Sequence, residues 1–164
     1  MEGFTGSEAP VRLLGLGNEI LADDAVGILA AREAGRRLGE AVEVVCSSAS
    51  GLHLLDDILG AKRLLVIDSM MTGRDAPGTI RVFQDWQAQP AAGGSPHSSG
   101  LFDALALARQ LALAAPEEIT IVGVEGADCT TVGGAMHPDV EAAVERVAAL
   151  VERLLNPGPG EERP

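Results

Sequence analysis

The chain has 164 residues, an apolar fraction of 46% and a formal net charge of −12. This length fits one domain with a single core and is too short for a separate substrate domain. The acidic charge argues against nucleic acid or an anionic membrane as a partner and favours basic or metal-carrying partners, because like charges repel at long range. The start, MEGFTGSEAP, lacks a secretory leader pattern, and no apolar run is long enough to span a membrane. We therefore expect a cytoplasmic protein.

The first half of the chain alternates apolar strands with helices. Residues 11–16 have the composition of a buried strand, and a glycine turn separates them from a helix at about residues 23–38. A short strand at residues 41–45, a helix at residues 51–59 and a third strand at residues 63–68 follow. In the second helix, Leu52, Leu55 and Leu59 are expected on one apolar side. This alternation predicts parallel strands joined by helical crossovers, with strands one and three adjacent.

The second half adds an edge strand, a long loop and two helices. Residues 79–83 alternate apolar with polar, which is typical of a half-exposed edge strand and compatible with an antiparallel one. A loop at residues 85–99 precedes a helix at about 100–114, a strand at 119–124 and a helix that opens at Pro138. The predicted fold is a single α/β domain at residues 11–155, a mostly parallel twisted sheet of about five strands with helices on both faces. Residues 1–10 and 156–164 are expected to be flexible ends.

Acidic side chains follow two of the predicted strands. Asp23 and Asp24 come after the glycine turn in GLGNEILADDAVG, and Asp68 ends the strand RLLVID. A carboxylate at the tip of an apolar strand must be paired, solvated or bound to a cation. His97 lies in the long loop ahead of a helix, and loops of this length in a compact domain usually have a function. Two carboxylates and an imidazole at the carboxyl edge of the sheet form a three-ligand metal set with open positions.

Each of these residues also has a purely structural interpretation. Asp23 and Asp24 suit a helix N-terminus, where acids interact well with the helix dipole. One acid is enough for that role, so we take Asp24, which lies further into the turn, as the ligand. Asp68 is a favoured residue for starting a turn, and a lone histidine in a loop is more often solvated than metal-bound.

Other residues that could take part in catalysis or metal binding are not included in the ligand set. His53 and His137 are expected at the surface or at a helix cap. Cys46 and Cys129 are too few and too distant in sequence for a disulfide framework or a CxxC zinc site, so free thiols are expected. Glu125 ends the last predicted strand, and the sequence leaves open whether it supports the site or meets solvent.

Missing motifs exclude several familiar activities. The chain contains no GxSxG elbow, no HExxH helix and no GxxxxGK[ST] loop. Gly15 and Gly17 resemble the start of a dinucleotide-binding fingerprint, but Ile20 stands at its third position and nearby acids would repel a pyrophosphate. A magnesium-binding receiver-like domain shares the acids, yet needs a lysine at the end of the last strand. Lys62, the single lysine, enters the third strand from the opposite edge.

Five segments in their order and spacing resemble the hydrogenase maturation proteases: GLGNEILADDAVG, LLVIDSM, APGTIRV, SPHSSGL and IVGVEG. The resemblance spans nearly the whole domain. It implies a cytoplasmic, aspartyl-type endopeptidase that removes the C-terminal extension of a nickel-iron hydrogenase large-subunit precursor after nickel insertion. By this resemblance Asp24, Asp68 and His97 match the catalytic, nickel-contacting residues. The nickel would be carried by the precursor, and no organic cofactor is implied.

The chain also departs from the family pattern. Many members have Asp-Gly-Gly-Thr after the second strand, whereas this chain has residues 46–49 as Cys-Ser-Ser-Ala. The missing acid keeps a second hypothesis open, a nonenzymatic nickel-binding or chaperone module for hydrogenase assembly. Because Cys46 takes the place of that acid, we expect it to be partly exposed at the crevice. Ala25 and His137 also differ from the common residues, but neither is a proposed ligand.

Overall fold

The strands predicted from the apolar runs form one sheet. The structure is a computed structural model that describes residues 11–84 and 96–156, without the side chains of residues 96–99. Within these ranges the sheet has five strands in the order β2-β1-β3-β5-β4. Their bounds are β1 Val11–Leu16, β2 Val42–Ser47, β3 Arg63–Met70, β4 Ile80–Phe83 and β5 Glu118–Glu125. The expected flexible ends, residues 1–10 and 156–164, lie outside the described ranges apart from Asn156.

The strand pairing agrees with the predicted topology. β1 pairs in parallel with β2 and β3, and β3 pairs in parallel with β5. β4 runs antiparallel along β5 at one side of the sheet. The four parallel strands therefore end at one common edge, called here the carboxyl edge, where ligands of such sheets bind.

Helices cover both faces of the sheet, as predicted. On one face, α1 Val26–Leu38 and α4 Pro138–Leu155 share a core with the strands. On the other face, the short α2 Leu55–Ile58 and the longer α3 Pro96–Gln110 complete a second core. The predicted fold class, a single mostly parallel α/β domain, is confirmed. In the described part of the chain, no helix combines the length and apolar character needed to cross a membrane.

The two faces of β3 determine where its polar residues lie. Ile67 packs in the core beneath α1 and α4, whereas Val66 packs in the core beneath α3. Side chains alternate between the faces along a strand. Asp68 therefore continues the row that faces α3, and Ser69 continues the row that faces α1.

The predicted end of the third strand is wrong by two residues. Asp68 does not end β3, because the strand continues through Ser69 and Met70. The extension pairs with β5, which also runs further than predicted, so that Asp68 lies opposite Gly123 and Met70 opposite Glu125. Asp68 is thus held within β3 by the pairing of this strand with β5.

The apolar side of the second predicted helix is confirmed only in part. Leu55 and Leu59 are partly buried against the core, as predicted, but Leu52 is 55% exposed. The fully buried residues of this segment are Leu54 and Ile58. The segment begins as a 3₁₀ helix at Gly51–Leu54 before α2, and the tighter winding rotates the buried side relative to an α-helix.

The third helix begins and ends earlier than predicted. α3 starts at Pro96, so His97 lies in its first turn rather than in a loop ahead of it. The helix ends at Gln110, near Ala112, whose φ of 52° is left-handed and cannot continue an α-helix. Residues 85–95, the rest of the predicted long loop, lie outside the described residues.

Candidate active site

The buried polar side chains of the described residues are concentrated at the carboxyl edge. Each is at most 3% exposed, and they are Asp23, Asp24, Asp68, Ser69 and Glu125. Asp23 and Asp24 follow β1 in a 3₁₀ turn at Ala22–Ala25, while the others end β3 and β5. Burial of several carboxylates at one place is costly unless each is hydrogen-bonded, paired or bound to a cation. The edge is therefore a candidate site.

Two glycines bring Asp24 close to the strand ends. Gly17 has a φ of +145°, and a Cβ there would lie 1.9 Å from the Asp24 carbonyl oxygen. A Cβ on Gly27 would lie 2.1 Å from the Leu16 carbonyl oxygen and 2.5 Å from that of Ile67. The glycines of GLGNEILADDAVG thus allow the 3₁₀ turn and α1 to contact the strand backbones directly. This packing role explains the motif without a bound dinucleotide.

The Asp24 side chain is held by the neighbouring strand. Ser69 Oγ donates a hydrogen bond to Asp24 Oδ1 at 2.8 Å, and both side chains are buried. Because an ionised carboxylate only accepts hydrogen bonds, the Ser69 hydroxyl proton must point at Asp24. The bond fixes the orientation of a carboxylate that has little contact with solvent.

Asp23 has a different role from its neighbour. Its Oδ1 accepts a hydrogen bond from the His137 backbone amide at 2.6 Å. Its Oδ2 accepts from the amides of Ala127 and Asp128 at 2.7 and 2.9 Å. The carboxylate therefore ties the turn after β1 to the loop after β5 and to the start of α4. The sequence offered a helix-dipole role for this acid, whereas its contacts are with distant backbone.

Asp68 lies at the same edge on the opposite face of the sheet. Its face is the one that α3 covers, and the first turn of α3 contains His97. The close approach of this turn depends on Gly100, since a Cβ there would lie 2.2 Å from the Gly51 amide nitrogen. The His97 side chain lies outside the described residues, so its position relative to Asp68 stays a prediction.

Glu125 supports the loop that follows β3. Its Oε1 accepts hydrogen bonds from the amides of Thr72 and Gly73 at 2.9 and 2.8 Å, and its Oε2 accepts from Thr72 Oγ1 at 2.8 Å. The backbone of Glu125 also bonds Gly78 and Thr79. The residue is therefore buried and structural at the rim of the site, a question that the sequence left open.

Cys129 is a site neighbour that the sequence analysis assigned only as a free thiol. It is partly buried and lies near Ser69. Burial raises the pKa of the Cys129 thiol to about 11; the Ser69 contact opposes the rise, while the charges of Asp24, Asp23 and Asp68 add to it. The charges of all three aspartates therefore act on this thiol. Cys129 and Ser69 lack a spacing signal that distinguishes them from ordinary loop and strand residues.

The remaining candidate residues lie outside this cluster. His53 is exposed, and His137 caps α4 by accepting a hydrogen bond at Nδ1 from the Asp139 amide at 3.2 Å. Both agree with the predicted surface or cap positions. The exposure predicted for Cys46 is confirmed, whereas its position at the crevice stays a prediction. The thiol lies beside Arg32, which pairs with Glu19.

The chemistry of the donor set fits a divalent cation. Asp24 and Asp68 supply two buried carboxylates, and the protein has a formal net charge of −12. Oxygen and imidazole ligands suit borderline metals such as nickel. Within the described residues, no group of three or more His, Cys, Asp and Glu side chains is arranged to hold a metal. A complete ligand set would need groups beyond these residues, and His97 is the one that the sequence predicts.

A cavity of about 370 Å³ lies at the opposite edge of the sheet. It is lined by residues at the amino ends of the strands, including Val11, Arg63 and Ile119, and by Leu155 at the end of α4. None of the buried aspartates contributes to it. We place the candidate site at the carboxyl edge because the buried charges lie there.

Comparisons with known proteins all indicate the same family and the same fold. A model of the hydrogenase maturation protease family matches residues 28–154. The Hydrogenase 2 maturation protease of Escherichia coli (strain K12) is 32% identical over 139 residues, which cover 82% of this chain and 84% of that protein. The hydrogenase expression/formation protein HupM of Azotobacter chroococcum is 31% identical over 157 residues, covering 93% and 74%.

Solved structures show the same architecture. The hydrogenase maturating endopeptidase of E. coli superposes with a TM-score of 0.72 at 27% identity, covering 87% of this chain and 90% of that one. A NiFe hydrogenase maturation protease from Thermococcus kodakarensis superposes with a TM-score of 0.71 at 25% identity, covering 90% and 100%.

Proposed function

Because the chain belongs to the hydrogenase maturation protease family, whose members are endopeptidases, we propose that it cleaves a nickel-iron hydrogenase large-subunit precursor. In this proposal it acts in the cytoplasm and removes the C-terminal extension after nickel has been inserted. Asp24, Asp68 and His97 contact the nickel that the precursor carries. The proposal rests on the family resemblance of the motifs together with the chemistry of the carboxyl edge.

The observation that carries the proposal is the concentration of buried acids at that edge. Two of these acids have a structural role, because Asp23 and Glu125 accept hydrogen bonds from distant backbone amides. Asp24 and Asp68 are equally buried at the same edge. Nearby positive charge compensates a buried carboxylate, and a nickel ion in a docked partner would supply it.

The chain's own residues would prepare the site in two ways. Ser69 orients Asp24, and Asp23 and Glu125 fix the loops that surround it. Docking of the precursor would exclude water from the edge and bring the scissile peptide bond beside the carboxylates. Nickel in the docked precursor would supply Lewis-acid chemistry. A site completed by its substrate explains how this chain can lack the GxSxG and HExxH motifs.

Cleavage of nickel-loaded and nickel-free precursor tests this function directly. The two forms are incubated with the purified protein, and the C-terminal segment is followed by mass spectrometry. We expect cleavage of the nickel-loaded form only. Equal cleavage of both forms would contradict the dependence on nickel. Binding of the nickel-loaded form without cleavage would favour the nonenzymatic nickel-binding module.

Substitutions at the site make the test specific. We expect Asp24→Asn, Asp68→Asn and His97→Ala to lower the cleavage rate by about 100-fold or more, as for loss of a group that acts on transition-state charge. Asp56→Asn is a matched control, because Asp56 is an exposed acid outside the carboxyl edge cluster. Full activity in the Asp68→Asn variant would show that Asp68 is not a catalytic residue.

A further inference from the structure

A large apolar side chain is exposed in the segment that follows each of the four parallel strands. Ile20 comes after β1, Leu52 after β2, Met71 after β3 and Val132 after β5. Their exposed fractions are 61%, 55%, 43% and 72%. Single exposed apolar residues are ordinary on a protein surface, but parallel strands end at one edge, so these four lie at the same end of the sheet. We call them the apolar rim of the carboxyl edge.

Backbone hydrogen bonds join the segments that present the two most exposed members of the rim. The Gly133 amide donates to the Ile20 carbonyl oxygen at 2.7 Å, and Leu21 and Val132 form an isolated antiparallel bridge. The Ile20 amide donates in turn to Asn18 Oδ1 at 3.1 Å. Both apolar side chains therefore extend from a backbone that is already ordered. A partner that binds them does not have to offset the entropy of ordering these segments.

The rim is continuous with the candidate site on the side of the acidic turn. Ile20 lies three residues before Asp23 in the sequence. The Asp23 carboxylate accepts hydrogen bonds from the amides of Ala127 and Asp128, in the loop that leads to Val132. The bonds that hold the buried acid thus also place this part of the rim beside it.

The other two members of the rim are joined to the site in a similar way. Met71 precedes Thr72, whose amide and hydroxyl donate to the Glu125 carboxylate. On the face of the sheet that carries Asp68, the turn containing Leu52 packs against the first turn of α3 at Gly100. Apolar side chains therefore lie on both sides of the buried acids.

The charge within the rim favours one kind of partner. Asp23, Asp24, Asp68 and Glu125 are buried at this edge, and the formal net charge of the chain is −12. A second copy of the chain would bring this acidic centre against itself, because a twofold interface uses the same patch on both partners. A protein that carries a divalent cation within an apolar surface would meet the acids with positive charge instead. The rim therefore fits a metal-carrying protein better than a second copy.

We propose that the apolar rim docks an apolar surface of the hydrogenase large-subunit precursor and supplies affinity that does not depend on nickel. The inference rests on the proposed function for its partner and divides recognition into two parts. The rim binds the precursor with or without the metal, and the aspartates add affinity when nickel is present. Burial of apolar surface needs no charge on the partner, so the two contributions can be measured separately.

Three rim variants and one control test the proposal. Ile20→Ser and Leu52→Ser remove an apolar side chain, whereas Val132→Thr keeps the shape and adds a hydroxyl. Leu111→Ser is the matched control, because Leu111 is 58% exposed but follows α3 toward the amino end of β5, at the opposite edge of the sheet. All four side chains are more than half exposed, so each variant should melt near the wild-type temperature.

Binding and cleavage are measured with separate forms of the precursor. Nickel-free precursor gives the Kd at low and high salt, and cleavage of nickel-loaded precursor gives kcat and KM. We expect Ile20→Ser and Leu52→Ser to raise Kd and KM by about tenfold with kcat unchanged, as for loss of an interface contact that is equal in ground state and transition state. Val132→Thr should give a smaller rise, and Leu111→Ser should keep the wild-type values. Salt should change the wild-type Kd little, because screening weakens contacts between charges.

Several results would overturn the proposal. They are unchanged Kd and KM in the rim variants, an equal loss in Leu111→Ser, and a wild-type Kd that rises steeply with salt, which would assign docking to charge. A concentration-dependent dimer that the rim variants lose, with no change in Kd for the precursor, would make the rim an interface between copies.

Failure of the proposed function gives a different result. If the wild-type protein binds nickel-free precursor and cleaves neither form, the protease activity fails, whereas the Kd values of the variants still decide the role of the rim. If the wild-type protein does not bind nickel-free precursor but cleaves the nickel-loaded form, the rim proposal fails and the protease activity stands.

Discussion

The carboxylate of Glu125 holds Thr72 by both its backbone and its side chain. Oε1 accepts from the Thr72 amide at 2.9 Å, and Oε2 accepts from Thr72 Oγ1 at 2.8 Å. Since Glu125 ends β5 and Thr72 follows β3, these bonds fasten the loop after β3 to the neighbouring strand. The rim of the candidate site on this side is therefore built by a buried acid that takes no part in the ligand set.

Replacement of Glu125 by glutamine should destabilise the protein. The Thr72 hydroxyl can turn to accept from the glutamine NH₂, but three hydrogen bonds to a carboxylate become weaker bonds to a neutral amide, so we expect a cost of about 1 kcal/mol or more in the free energy of unfolding. Urea denaturation of Glu125→Gln measures this cost. Glu117→Gln is the control, because Glu117 is exposed, and it should unfold at the wild-type urea concentration. Equal midpoints for the two variants would contradict a structural role for Glu125.

Adjacent acids should respond to amidation in opposite ways. Asp23→Asn leaves one of three backbone amides at Asp23 facing an NH₂ group, so we expect a loss of about 2 kcal/mol of unfolding free energy. Asp24→Asn keeps an acceptor for Ser69, so we expect a smaller loss of unfolding free energy than in Asp23→Asn.

The activity of these two variants gives the second half of the comparison. At a temperature where both are folded, Asp24→Asn should be inactive toward nickel-loaded precursor, and Asp23→Asn should keep measurable cleavage. Calorimetry and the cleavage assay are run on the same preparations. If Asp24→Asn is the less stable variant and retains activity, the assignment of roles to the two acids is reversed.

Two glycine-to-alanine substitutions in α1 should have different effects on the stability of the protein. At Gly27 the added methyl group would meet two backbone carbonyl oxygens, at 2.1 and 2.5 Å, which cannot move without displacing strands. At Gly35 the close atom, 2.4 Å away, is Cγ2 of the Val44 side chain, which can rotate. Alanine improves helix propensity by about 1 kcal/mol at both positions. We therefore expect Gly35→Ala to be neutral or stabilising and Gly27→Ala to lower the melting temperature by several degrees.

The two thiols should react with iodoacetamide at different rates. Cys46 is exposed, whereas burial raises the pKa of Cys129 to about 11. The thiolate is the reactive form, so the rate at Cys129 in the native protein should keep rising between pH 9 and pH 11. Peptide mass spectrometry after timed labelling assigns each rate. Rapid labelling of Cys129 at pH 8 in the native protein would contradict a partly buried thiol with a raised pKa.

The raised pKa of Cys129 also makes the stability of the folded protein depend on pH. The unfolded chain loses the thiol proton near the ordinary pKa of 9.0, before the folded protein does. The contribution of this thiol to stability is therefore complete below pH 9 and is lost as the pH rises toward 11. In the Cys129→Ala variant this part of the alkaline decrease in melting temperature should be absent.

The sequence was sufficient for the fold because apolar runs and helical spacing record burial directly. The bounds of β1 agree with the prediction, and Pro138 begins α4 as expected from its fixed φ. It was less informative where winding changes within a segment, as at Leu52, because the 3₁₀ turn there has no signature in residue type.

The site was predictable to the extent that it lies at strand ends. The topology brings Asp24 and Asp68 to one edge, as expected from parallel strands. Ser69 was missed because its importance depends on the extension of β3 and on the side to which it points. Cys129 was missed because its loop returns to the site through bonds to Asp23, a contact between distant parts of the chain that no local pattern encodes.

The bonds of Asp23 also bear on the order in which the molecule is completed. They join residues separated by 104, 105 and 114 positions in the chain. Contacts of such separation form late, because a long loop must close before they form. During synthesis the turn that contains Asp23 leaves the ribosome well before the backbone amides that Asp23 binds. Its carboxylate therefore stays hydrated until β5 and the start of α4 have been made. The contacts of Asp23 at the candidate site are thus absent from any nascent chain that lacks the final quarter of the domain.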